Sequence, residues 1–398
     1  MVKSSLIERQ KNSFFYIICG VAILVSSFPL ACSYIMDGGI IIEWIARIEE
    51  VAEGMKVGHF YLYPSEEVFL SANVWENVLA SNLWFLFPAW IYHLTGNIVM
   101  TYRLFMFLLQ LATGISACMF FLRIFGKNDL GATALGVLLY LCCPYRIYLC
   151  YDASNLCRVV VWALLPLYSW AIVGILREKK CIREEIVIAL CLAGIGYEDA
   201  VLGVFFIIVA LVVNVIRQRI VGVVLISLSA IIMFPAWNRL YQYWIESCVN
   251  GIEIPFLTIE KSGYHIGEYF LSYSFRNGYP GLGLAMITGV VFLIWQWMIM
   301  EYRIDKKDVI LIILAVISMI LSLKIFPWSE KFAFTNIQSA FAGLTCFLLC
   351  IPVADVVIKS YSKKKTIVPV LIAMFSIGIC VYQCNMLTYY RLPIVFPE

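Results

Sequence analysis

Long apolar runs separated by short polar breaks organise nearly the whole chain. The first, FFYIICGVAILVSSFPLACSYIM over 14–36, has 23 residues. As a helix it is roughly 34 Å long at about 1.5 Å per residue, enough to cross a hydrocarbon core of about 30 Å. Further runs fall at about 79–95, 98–122, 130–145, 157–176, 186–197, 199–216, 220–240, 281–300, 308–325, 337–358 and 366–387. Such a succession predicts an all-α integral membrane bundle, a single membrane domain over 1–398. In lipid, every backbone polar group of a helix is satisfied internally.

The basic loops set the orientation. If every run crossed in alternation from a cytoplasmic N-terminus, RIFGKND (123–129) and REKKCIRE (177–184) would both lie outside. Short basic loops belong inside. Taking 79–95 out of the alternation repairs both. That segment is short and aromatic-rich, and it carries Pro88 and His93, as a helix lying at an interface would. About eleven spans are then expected, with the N-terminus cytoplasmic and the C-terminus extracytoplasmic. The remaining spans lie within 98–387. The run 186–197 is too short to cross alone, and Glu198 and Asp199 follow it at once. The expectation is two helices meeting below the outer surface with these carboxylates at the junction. A tilted helix ending in an outer turn is the other possibility.

Composition agrees with lipid as the main solvent. The chain is 62% hydrophobic and 14% charged, with a mean hydropathy of +0.88, against about 25% charged in soluble domains. A net charge of +3 is too balanced for a nucleic-acid partner. Fourteen cysteines without a C-x-x-C pair read as small apolar filler. His59, His93 and His265 match no metal-ligand spacing, and no phosphate loop, dinucleotide fingerprint or nucleophile elbow occurs. No metal-ligand motif is found.

The candidate chemistry lies in the outer loop 37–97 and in two other charged places. IIIEWIARIEEVAEGMKVGHF (40–60) has helical periodicity, predicting an amphipathic helix over 40–56 on the outer leaflet, with 79–95 as a second. Ile41, Trp44, Ile45 and Ile48 form one side; Glu43 and Arg47 form another, at pairing distance along the helix. Asp37, beside Gly38 and Gly39, is either an acid ending a helix at a turn or a general base facing a cavity. In PYRIYLCYDASNLCRVVVWALLPL (144–167), Arg146, Asp152 and Arg158 stand among tyrosines. That pattern fits either a helix-anchoring loop or a grip on phosphate.

Three stretches resemble, in order, the bacterial YfhO-type membrane proteins, relatives of the GT-C glycosyltransferases. RIEEVAEGMKVGHF (47–60) is similar to that family's R-I-E-x-I-x-E-G-L-x-x-G-x-F. NLWFLFPAWIYHLTG (82–96) is similar to its L-x-L-Y-x-P-A-L-x-x-x-x-G, and 144–167 to its S-P-Y-R-L segment ending in F-L-P-L. FPWSEKFAFTNIQSAFAGL (326–344) echoes a late P-W pattern. The resemblance implies a GT-C-like bundle with juxtamembrane helices in its first outer loop. It implies a polyprenyl-phosphate sugar as donor and transfer to a cell-envelope glycan or lipid at the outer face of a bacterial plasma membrane. Asp37 would then be the catalytic base, and Arg146 and Arg158 would hold the lipid phosphate. Glu43, Arg47, Asp152, Glu198 and Asp199 would complete the substrate site. Membrane lipid and lipid-linked sugar are the implied partners. In this register the family's own Asp falls on Ile40 and its later Arg and Glu fall on Ala153 and Arg158. A non-catalytic relative that binds lipid-linked glycan or assists a partner enzyme is therefore a second expectation. A lipid or polysaccharide transporter is a third.

Overall fold

A computed structural model describes residues 2–36, 38, 41–60, 62–63, 81–126, 129–177, 182–249, 263–271, 281–299, 305–328, 337–364, 367–390 and 393–394. The described residues are almost entirely helical, with only two isolated bridges, Met36 to Pro393 and Tyr264 to Leu323. In chain order the helices are α1 (Val2–Ser26), α2 (Ile41–Val57), α3 (Leu86–Thr95), α4 (Ile98–Phe125), α5 (Leu130–Leu141), α6 (Pro144–Ile147), α7 (Leu156–Arg177) and α8 (Ile182–Glu198). They continue as α9 (Ala200–Ile216), α10 (Ile220–Ile232), α11 (Phe234–Val249), α12 (Glu268–Leu271), α13 (Leu284–Met298), α14 (Lys306–Ser322), α15 (Ile337–Lys364) and α16 (Val368–Tyr390).

Among the described residues, four helices are long and apolar enough to cross a membrane: Ile98–Phe125, Leu156–Arg177, Ile337–Tyr361 and Val368–Tyr389. The pair Leu130–Leu141 and Pro144–Asp152, bent by 42°, makes a fifth as one broken span. The other apolar runs form shorter helices, because the sequence interrupts them. Helix α1 stops at Ser26, where Pro29 enters a 3-10 turn over Phe28–Ala31; proline removes a backbone donor and disfavours helix in the residue before it. The run 220–240 is divided at Met233, and α11 then starts with Phe234 and Pro235. Polar caps start several helices, with Asn97 Oδ1 accepting from the Met100 amide at 2.9 Å and Asp129 Oδ1 from Ala132 at 3.2 Å.

Helix α5 is the centre of the bundle. Every residue from Ala132 to Leu141 is buried, and α5 touches α1, α4, α15 and α16. Gly136 permits the closest approach: a Cβ there would lie 2.6 Å from the Phe121 ring of α4. Helix α7 packs between α4 and α8, and α14 packs on α15. Outward faces are apolar, as with Phe87, Trp90 and Leu94 along α3 and Ile208, Val212 and Val215 along α9.

Two elements depart from expectation. Helix α2 encloses part of its expected polar side: Glu43 and Arg47 are buried together with Trp44, while Glu53 and Lys56 are exposed. Helix α3 packs against it, and α3 in turn rests on α4. The segment after Cys143 is no surface loop either. It continues as α6 and a single π-turn over Tyr148–Asp152, and Tyr145, Arg146, Tyr151 and Asp152 are buried. Pro144 suits the first turn of a helix, and the apolar and aromatic side chains around it fill the bundle.

Candidate functional site

A gathering of buried charge forms where α2, the segment before α3, the start of α7 and the α8–α9 break converge. Arg47, on α2, donates from Nε and Nη2 to Asn82 Oδ1 at 2.9 and 2.6 Å. Its guanidinium lies 4.4 Å from the centre of the Phe85 ring and 5.5 Å from that of Trp44. Those two rings stack with centroids 4.6 Å apart. A guanidinium over aromatic faces keeps its charge in an apolar setting through the ring quadrupole. The neighbouring segment is tied down by its backbone, with Ser81 N donating to Tyr197 O at 3.0 Å and Asn82 N to Leu62 O at 2.7 Å.

Helix α8 ends at Glu198 and α9 starts at Ala200, so Asp199 is the single residue between them. Its extended backbone makes it the cap of α9, with Oδ1 accepting from the Leu202 amide at 2.9 Å. Its other oxygen faces Arg158 Nε at 3.8 Å. Arg158 stands in the first turn of α7, where its own amide donates to Asn155 Oδ1 at 3.1 Å. Glu198 receives the Ser81 hydroxyl at 3.5 Å, and the Cys157 thiol also faces it. Arg47 also stands near this carboxylate, and a carboxylate held in place by hydrogen-bond donors can accept a proton from a hydroxyl brought against it. Beside it a small cavity is lined by Trp44, Trp84, Phe85, Phe105, Leu156, Val160 and Glu198.

The other expected site residues lie elsewhere or in part alongside. Arg146 belongs to a different cluster: it donates to the Leu141 carbonyl at 3.2 Å and to Gln110 Oε1. Gln110 in turn reaches Tyr151 Oη at 3.4 Å, and that hydroxyl donates to Ser26 O at 2.9 Å. The continued helical path after Pro144 turns Arg146 towards the ends of α5 and α1, whereas Arg158 faces Asp199. Asp152 is buried at the end of the π-turn. Gly38 abuts that turn, since a Cβ on it would lie 2.5 Å from the Tyr151 carbonyl and 2.7 Å from Ser154 Oγ. Glu43 is buried near the start of α2. Asp37 lies outside the described residues.

The structure thus brings together Arg47, Arg158, Glu198 and Asp199. It adds Ser81, Asn82 and Cys157, which the sequence reading passed over. The only available signal for them was polar Ser81-Asn82 standing at the head of an aromatic run.

No family model matches the chain, and none of the curated proteins compared with it matches either.

Proposed function

We propose that the chain is a GT-C-like membrane glycosyltransferase of a bacterial plasma membrane, with about eleven spans, a cytoplasmic N-terminus and an extracytoplasmic C-terminus. On this reading it moves a sugar from a polyprenyl-phosphate donor to a cell-envelope glycan or lipid at the outer face. The observation that supports it best is the buried Arg47–Arg158–Glu198–Asp199 cluster beside an aromatic cavity. The motif order along the sequence gives it a second support. Two guanidiniums suit the phosphate of a lipid-linked donor, and stacked aromatics suit the apolar face of a sugar or the lipid chain.

The chemistry assigns roles to the chain's own residues. An acceptor hydroxyl oxygen attacks the anomeric carbon, and the bond from that carbon to the phosphate oxygen breaks. The electron pair leaves with polyprenyl phosphate, whose charge Arg47 and Arg158 stabilise. The hydroxyl proton passes to the Glu198 carboxylate. Glu198 takes this role, because it lies beside Arg47 in the cluster, whereas Asp199 caps helix α9 and faces Arg158. The test is turnover by the purified protein in vesicles supplied with polyprenyl-phosphate sugars and an extract of envelope lipids and glycans. Release of polyprenyl phosphate coupled to a glycosylated product is expected. Its absence across the donor panel would overturn the reading.

A second reading has its own observation. Arg47 is already bonded to Asn82, and Arg158 already faces Asp199, so the charges also serve as internal ties. A non-catalytic relative would bind lipid-linked glycan without turnover, and equilibrium binding in the same vesicles separates the two.

A further inference from the structure

A second group of charges, away from that cluster, lies between α14 and α15. Asp305 immediately precedes α14, Asp308 stands in its first turn, and Asp355 lies on α15. One carboxylate oxygen from each of the three lies within 4.8 Å of the other two. Lys359, one turn beyond Asp355, places Nζ 2.6 Å from Asp355 Oδ2 and 3.0 Å from Asp305 Oδ2. Lys307 Nζ lies 3.6 Å from Asp355 and 4.0 Å from Asp305.

Asp308 is the exception in this network. It is fully buried, and among the described residues no donor group reaches either of its carboxylate oxygens; its one side-chain neighbour at hydrogen-bonding distance is another carboxyl, Asp355. Among the described residues three carboxylates face two ammonium groups, and the carboxylate that neither ammonium pairs with is the most buried. A buried carboxylate that receives no hydrogen bond is costly unless a proton or a cation compensates it. The donor set is all oxygen, which selects hard cations over zinc or copper. The cluster is accessible on one side, because the side chains of Asp305, Lys307 and Lys359 are 52%, 41% and 35% exposed. Waters can therefore complete an octahedral shell, and the flexible lysine heads can move away.

We propose that Asp305, Asp308 and Asp355 bind one small divalent cation of the Mg²⁺ type, which displaces the ammonium groups of Lys359 and Lys307 from the carboxylates. Such a cation would tie the start of α14 to α15. The test uses the full chain purified in detergent and titrated with Mn²⁺, with free Mn²⁺ followed by electron paramagnetic resonance. Wild type should take up one Mn²⁺ per chain, released by excess Mg²⁺. Asp308→Asn should weaken binding about tenfold or more, since one of three charged ligands is lost. Lys359→Gln should tighten it several-fold, because the competing ammonium is gone. If wild type shows no saturable uptake, if Asp308→Asn binds unchanged, or if Lys359→Gln binds no tighter, the proposal fails. Should Asp308→Asn not fold, the Lys359→Gln comparison decides alone, since the opposite sign is expected of a purely structural ion-pair network.

Discussion

Arg158 Nε lies 3.8 Å from Asp199 Oδ2, while the other oxygen of the same carboxylate caps helix α9. One side chain thus joins the start of α7 to the α8–α9 break and also stabilises the helix that follows it. The two contributions can be separated. Asp199→Asn keeps a good capping group but removes the negative charge that faces Arg158 Nε, at a cost of about 1–3 kcal/mol. Asp199→Ala also loses the cap and should cost about 1 kcal/mol more. Unfolding of the detergent-solubilised protein, followed by thermal or denaturant titration, should rank wild type above Asp199→Asn and that above Asp199→Ala.

Arg47 offers a parallel case on the neighbouring helix. Hydrogen bonds from its Nε and Nη2 converge on one oxygen of Asn82, and its guanidinium lies over Phe85. Lysine keeps the charge but neither the fork nor the flat face, so Arg47→Lys should cost roughly 2 kcal/mol. In a double-mutant cycle, Arg47→Lys and Asn82→Ala should be non-additive by about 1 kcal/mol, because each alone removes the same bonds. Additive effects would show that the pair is not coupled.

Gly38 tests how closely the backbone ahead of α2 approaches the turn at Tyr151–Ser154. A methyl group there would lie 2.5 Å from the Tyr151 carbonyl, and a backbone atom has little room to yield. Gly38→Ala should destabilise the protein by about 1–3 kcal/mol. Gly20→Ala, where a Cβ meets nothing within 4 Å, is the matched control and should be neutral or slightly stabilising.

Hydrophobic runs and breaks made the helical character legible, and adjacent Glu198 and Asp199 between apolar runs marked a real helix junction. What covers the polar side of a helix is not legible in the sequence. Glu43 and Arg47 formed the polar side of a regular amphipathic pattern, yet α3 covers α2 and an aromatic pair holds the Arg47 guanidinium inside. Periodicity gives the faces of a helix, not what packs on each. Arg146 and Arg158 looked like one basic loop because they are close in sequence. The continued helix and π-turn between them point the two side chains into different clusters. Ser81, Asn82 and Cys157 are small or neutral and carry no pattern of their own, so only the fold reveals them beside Glu198.

In the proposed reaction Glu198 accepts a proton during sugar transfer at the Arg47–Arg158 cluster. The most direct test compares wild type with Glu198→Gln in vesicles, measuring product formation and binding of the polyprenyl-phosphate sugar side by side. Glu198→Gln should bind the donor within a few-fold of wild type and transfer sugar about 100-fold or more slowly. Transfer at the wild-type rate by a folded Glu198→Gln protein would contradict it.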